Sequence, residues 1–208
     1  MKDWTGGANS IYKQIAASNH STAEREQNDY YATDPRAIDL LLTAESPNHC
    51  IWECACGGGH LSERLTELGY FVESTDLINR GYKRQRACVQ DFLKAEKSPF
   101  INQALTYDIL TNPPFKYAKE FVTKALELLK DGCKCYMFLK LTFLEGKARR
   151  EEIFNHNPPR TVYVFSERIS CAKNGDFRNL KESGGSAVAY AWFVWQKGYC
   201  GETIVKWL

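Results

Sequence analysis

Cys50-Ile51-Trp52-Glu53-Cys54-Ala55-Cys56-Gly57-Gly58-Gly59-His60 reads as a buried strand that runs into a glycine-rich turn. Leu61, Leu65 and Leu68 follow at helical spacing, and Gly69-Tyr70 ends that helix. Phe71-Val72-Glu73-Ser74-Thr75-Asp76 is then a second strand that closes on an acid.

Strand, glycine turn, helix, strand and terminal acid make the frame of a nucleoside-binding Rossmann unit. The distance from Gly57 to Asp76 suits a carboxylate on ribose hydroxyls. The turn departs from the dinucleotide fingerprint, because Gly57 and Gly59 supply G-x-G but Ser62 stands at the third position. Glu53 adds a further acid at the end of the first strand. A carboxylate there repels a pyrophosphate and attracts an ammonium group. A ligand with a ribose, an ammonium and no phosphate is S-adenosylmethionine.

Asp108-Ile109-Leu110-Thr111-Asn112-Pro113-Pro114-Phe115 is the second informative stretch. Tyr107 to Leu110 suit a parallel strand covered on both faces. Two consecutive prolines then forbid strand pairing and helix. An amide, two prolines and an aromatic thus stand at the carboxyl end of a parallel strand, where open α/β sheets bind ligands. Asn112 offers a side-chain carbonyl, and Pro113 a backbone carbonyl whose direction Pro114 restricts. Two such acceptors on a planar amino group draw its nitrogen toward tetrahedral geometry and stabilise the charge that grows on it. Phe115 can stack on a flat base. No strong general base is required, so His20, His49, His60 and His156 are expected to be structural or surface residues. Cytosine C5 chemistry needs a cysteine nucleophile, and no proline here is followed by Cys.

With 208 residues, 44% hydrophobic and 25% charged, the chain suits one soluble domain. It has no long apolar run and no signal-like amino terminus, so a cytoplasmic setting with its eight cysteines reduced is expected. The Cys54/Cys56 and Cys133/Cys135 pairs are C-x-C, so no metal is expected. The net charge of +2 neither demands nor excludes a nucleic-acid partner.

Elsewhere, residues 1–28 read as a polar, flexible arm preceding a single domain at 29–208. Thr33 or Asp34 can cap a helix that has Pro35 in its first turn and Ile38, Leu41 and Leu42 on one face. Tyr30 and Tyr31 are candidates to wall a flat heterocycle. Ala87 to Gln90 reads as a short third strand ending at Asp91-Phe92, a carboxylate and ring suited to an adenine. A helix is expected over Ala118 to Leu129 and strands over Cys133 to Leu139, Thr161 to Phe165 and Ala187 to Trp195. Basic residues gather at Arg80, Lys83 and Arg84, at Lys116, and in the 166–185 loop at Arg168, Lys173 and Arg178. These are the candidates for nucleic-acid phosphates.

Taken together, these segments resemble class I S-adenosylmethionine-dependent amino-methyltransferases, most closely small phage-type N6-adenine DNA methyltransferases. The resemblance spans nearly the whole chain. It implies cofactor contacts at Tyr31, Thr33, Asp34 and Pro35, and at Glu53, Ala55, Gly57, Gly59 and Leu61. Further cofactor contacts are implied at Asp76, Leu77, Asp91, Phe92 and Asn112. It makes Asn112-Pro113-Pro114-Phe115 the catalytic motif, and Phe143-Leu144-Glu145-Gly146 and Ala189 to Trp195 look like further segments of the phage group. Cys54 stands where that family usually has a proline. The implied fold is a three-layer α/β/α, Rossmann-like, seven-stranded and mostly parallel sheet with an antiparallel last strand. The implied partner is DNA, in a bacterial host's cytoplasm if the protein is phage-encoded, and no separate target-recognition domain is evident. Weak or short-site specificity is expected. The same tetrapeptide serves enzymes that methylate RNA bases and protein glutamine, and a silent cofactor- or nucleic-acid-binding protein is a further alternative.

Overall fold

A computed structural model of the protein describes residues 30–86, 89–173, 175, 177 and 188–208. The arm expected at 1–28 and Arg178 lie outside these residues. The elements open with β1 (Tyr31–Thr33), α1 (Arg36–Leu42), β2 (Cys50–Glu53), α2 (His60–Glu67) and β3 (Phe71–Ser74). Next come β4 (Asp108–Thr111), α3 (Ala118–Leu128), β5 (Lys134–Lys140) and α4 (Lys147–Arg149). The remaining strands are β6 (Thr161–Val164), β7 (Cys171–Lys173), β8 (Tyr190–Gln196) and β9 (Ile204–Trp207).

Seven of these strands form one sheet in the order β3-β2-β4-β5-β8-β6-β9. Only β8 runs against its neighbours, pairing antiparallel with both β5 and β6. Apolar runs in the strands are continuous because both faces are covered. Along β5, Cys135, Met137 and Leu139 point into the core that includes Phe121, Val122 and Ala125 of α3. Tyr136 and Phe138 point into the opposite core, with Ile38 and Leu41 of α1 and Leu61 and Leu65 of α2. β4 and β8 divide in the same way, with Ile109 and Phe193 on one side and Leu110 and Trp192 on the other. This alternation builds the three layers.

The antiparallel strand is the expected one at the Ala187–Trp195 segment, and β9 then extends the sheet beyond β6. All four β9 residues are exposed, so that edge carries no burial periodicity from which to read it. The third strand expected at 87–90 does not form in its described part. Val89 is 53% exposed there, the edge bridge is Ser74–Gln85, and Gln90 N donates to Asp76 O at 2.9 Å. Phe92 rather than Val89 goes into the core. Residues 31–33, expected to lead directly into a helix, instead pair antiparallel with β7, Thr33 opposite Cys171. This two-stranded ribbon ties part of the 166–185 loop to the start of the domain.

At the amino end of the sheet lies a buried polar cluster. The carboxylate of Glu45 accepts hydrogen bonds from Lys134 Nζ at 2.7 Å and Tyr163 OH at 2.7 Å, and it also pairs with Arg160. Burial alone would raise its pKa. The Lys134 and Tyr163 hydrogen bonds, with the charges of Lys134 and Arg160, outweigh that and bring it below its ordinary value.

Candidate active site

The candidate site lies at the opposite, carboxyl end of β2 to β5. β2 stops at Glu53, and the chain turns over Gly57 and Gly59, whose φ values are +54° and +83°. Side chains other than glycine rarely adopt such a backbone. A Cβ at Gly57 would fall 2.2 Å from the Tyr30 ring, and one at Gly59 2.3 Å from the Tyr82 ring. The turn therefore needs glycine for conformation and for close approach. Tyr30 OH accepts a hydrogen bond from Gly58 N at 2.9 Å, and the Arg80 guanidinium sits 4.3 Å from the Tyr30 ring centroid.

The two acids of this turn differ in their surroundings. Asp76, just beyond β3, accepts hydrogen bonds from Gly57 N at 2.8 Å and Ile78 N at 2.9 Å. Its carboxylate thus joins the two strand ends. Glu53 is buried, and Ser62 donates to it from α2. Burial pushes its pKa up to about 8, helped by the charge of Asp76 and opposed by the Ser62 hydrogen bond. Among the described residues no cation pairs with it.

Beyond β4 the second half of the site assembles. Asn112 Nδ2 donates to the Tyr31 carbonyl at 2.8 Å and lies 3.8 Å from Cys171 Sγ. Of the two polar ends of an amide side chain only the nitrogen can donate to a carbonyl, so this bond sets which way Asn112 faces. Asn112 Oδ1 is left buried with no hydrogen-bond partner among the described residues. Pro114 O accepts from Tyr117 N at 2.8 Å, which closes the 3-10 turn Phe115–Tyr117. The Phe115 ring stacks near Tyr31 at 6.4 Å and Tyr190 at 5.8 Å. Lys140 Nζ lies 5.0 Å from its centroid.

Glu53, Ala55, Gly57, Gly59, Asp76 and the exposed Leu77 gather at the ends of β2 and β3. Tyr31, Asn112, Pro113, Pro114 and Phe115 gather at the end of β4. Thr33 is buried with Oγ1 3.9 Å from Cys171 Sγ. Asp34 instead caps α1, accepting from Arg36 N at 3.0 Å and pairing with the Arg36 guanidinium, with Pro35 just before the helix. Leu61 and Phe92 both turn their side chains into the core. Leu61 packs into the core beneath α2, and the Phe92 ring lies between Trp52 at 5.1 Å and Phe121 at 4.9 Å. Both side chains gain more by joining the core than by facing a polar cleft. Asp91 caps the short turn over Phe92 by accepting from Leu93 N at 3.1 Å.

The basic candidates are dispersed. Arg80 is engaged by Tyr30, Arg84 lies 3.7 Å from Glu63, and Lys116 lies over Tyr117 at 5.1 Å. Lys83 and Arg168 are exposed, and Lys173 falls in β7. His60 heads α2 with its ring 5.6 Å from Phe177, and burial lowers its pKa. Tyr82, Lys140, Cys171 and Tyr190 were not expected at the site. Their positions depend on pairings distant in sequence, and no local pattern marks them.

No family model and no curated protein sequence matches the chain. Similar solved structures exist at low identity. One is a putative class I S-adenosylmethionine-dependent methyltransferase from Listeria monocytogenes, at TM-score 0.54 and 12% identity, covering 96% of this chain and 71% of that one. A putative RNA methyltransferase from Pyrococcus horikoshii gives TM-score 0.52 and 13% identity, over 91% of this chain and 98% of that one. A modification subunit of a putative type I restriction enzyme from Vibrio vulnificus gives 0.52 and 14%, over 93% and 49%. The chain therefore has the Rossmann-like fold on which those proteins are built.

Proposed function

We propose that this protein transfers a methyl group from S-adenosylmethionine to the exocyclic amino group, N6, of adenine in DNA. The observation that carries the reading is Asn112. Its Nδ2 is held by Tyr31, and its Oδ1 is a buried acceptor with no donor among the described residues. An acceptor left empty inside a protein costs about 1–3 kcal/mol. A donor brought by the substrate would remove that cost, and an exocyclic amino group brings two N–H bonds.

The residues around the glycine turn fit the proposed cofactor. Glu53 is a buried carboxyl with no counter-charge among the described residues, and an ammonium group would supply one. Asp76, held at the glycine turn, is the acid we assign to the ribose, and the turn offers two acids where a pyrophosphate would need positive charge. When bound, S-adenosylmethionine supplies an electrophilic methyl group. The chain's own task is positioning and electrostatics. Asn112 Oδ1 and the Pro113 carbonyl accept from the two amino hydrogens and favour the positive charge that develops on the nitrogen. Phe115 stacks on the base. The alkylated nitrogen is acidic and releases its proton to water, so no histidine is needed. Because Oδ1 is sealed from solvent, the base must displace what covers it, and in a duplex the base must also leave the stack.

The assignment to DNA adenine is supported by the resemblance of the segments around Thr33, Gly57, Asp76, Asp91 and Asn112 to small phage-type N6-adenine methyltransferases. Its test is a transfer assay with methyl-labelled cofactor and, separately, DNA, RNA and a protein extract. Label is expected in DNA. Label confined to RNA or protein, or absent from all three despite cofactor binding, refutes it.

A further inference from the structure

We propose that Lys140 binds the backbone phosphate beside the base that enters the site, and so selects a nucleotide in a polymer over a side-chain amide. This rests on the amino-group methyl transfer proposed above and narrows its substrate.

Lys140 is the last residue of β5, half-buried, with Nζ 5.0 Å from the Phe115 centroid. It is paired in register with Tyr190, whose ring stacks on Phe115. Its charge reaches Cys171, which lies 3.8 Å from Asn112 Nδ2. Lys140 is thus part of the same small volume as the catalytic amide. Among the described residues no carboxylate pairs with it, whereas Lys134, at the other end of the same strand, bonds Glu45 at 2.7 Å.

A cation at this point opposes the proposed chemistry. Positive charge grows on the attacking nitrogen, and a fixed ammonium nearby raises the energy of that state. Packing of the lysine stem on Phe115 accounts for the methylenes but not for an ammonium held there with no carboxylate partner among the described residues. The arrangement becomes favourable if the acceptor itself brings the anion. Every base in a nucleic acid carries a phosphate a few bonds away, and a glutamine side chain carries none. A lysine is suited to the role as a point-charge phosphate contact.

The test is the salt dependence of binding to a short mixed-sequence DNA duplex, measured for wild type, Lys140→Met, Lys140→Arg and the control Lys97→Met. Lys97 is exposed near Phe100, which packs on Phe71 at the start of β3 and so at the other end of the sheet. For Lys140→Met the slope of log affinity against log salt is expected to become shallower by about 0.7–0.9, the contribution of one phosphate contact. KM for DNA should rise more than kcat falls. Lys140→Arg should restore the slope, and Lys97→Met should leave it at the wild-type value. If wild type methylates DNA but Lys140→Met, folded by circular dichroism, keeps the wild-type slope, the Lys140 assignment alone is overturned. A wild-type protein that labels protein amides and not DNA overturns the proposed function, and Lys140's role with it.

Discussion

The two ends of β5 carry lysines in opposite situations. Lys134 begins the strand and bonds a buried glutamate, Glu45, that Tyr163 and Arg160 also contact. Lys140 ends the strand over an aromatic ring, with no carboxylate partner among the described residues. The buried glutamates differ in the same way. Glu45 has its pKa lowered by its partners, whereas Glu53 has its own raised to about 8, because burial outweighs the Ser62 hydrogen bond and the charge of Asp76 adds to it. Asn112 completes the contrast with its empty buried acceptor. One end of the sheet pairs its buried carboxylate with two cations and a hydroxyl and holds the fold. Among the described residues, the other leaves an acceptor without a donor, an acid without a cation and a cation without a carboxylate, each complementary to part of a proposed ligand: amino hydrogens, an ammonium and a phosphate.

Substitutions at the two ends should therefore separate activity from stability. The largest effect is expected at Asn112. Asn112→Ala should lower kcat by about 10²–10³-fold while cofactor affinity, measured by calorimetry, stays close to wild type. Equal loss of cofactor binding would place Asn112 in the cofactor pocket instead. Glu45→Ala should cost about 3–5 kcal/mol in urea unfolding, because Lys134 and Arg160 are left without their buried partner. Activity per folded molecule should not change, and a large loss of kcat in fully folded protein would remove the distinction between the two ends. Asp76→Ala should weaken cofactor binding by about ten- to hundredfold, since two turn amides lose a charged acceptor. At saturating cofactor its kcat should approach wild type, and a kcat as low as that of Asn112→Ala would show that the roles are misassigned.

The most gradual effect is the pH dependence from Glu53. Its folded pKa, about 8, lies above its ordinary 4.5, so the folded state holds the proton more tightly than the unfolded chain. Stability from this group is greatest below the ordinary value. It is lost as pH rises between these two values, by at most about 1.4 kcal/mol per pH unit. Glu53→Gln should flatten that decline in denaturation curves at pH 5 and pH 8. The same variant should lose the gain in cofactor affinity expected on approaching pH 8, where an ionised Glu53 meets an ammonium. A wild-type stability that is flat over this range would mean Glu53 is already compensated.

The legible parts of the molecule were those set by local chain geometry. Gly57 and Asp76 meet because a strand, a helix and a strand of ordinary length bring them together, and that pattern is present in the residues themselves. Asn112 is identified by the prolines that stop its strand. Lys140 was not legible, because a lysine at the end of a strand looks like Lys134 until its partners are known. The β1–β7 ribbon joins residues 138 positions apart, such as Thr33 and Cys171, through strands too short for a period-2 signal. Leu61 and Phe92 flank turn and strand-end motifs, where no local pattern tells a core side chain from one that faces the cleft. The adjacent core takes their side chains instead.

The most direct test is the identity of the methylated product. DNA incubated with the protein and methyl-labelled S-adenosylmethionine is digested to nucleosides and separated. The expected result is label in N6-methyldeoxyadenosine, lost when Asn112→Ala replaces wild type at equal cofactor occupancy. Label in any other nucleoside, label in none, or undiminished N6-methyldeoxyadenosine from Asn112→Ala would contradict it.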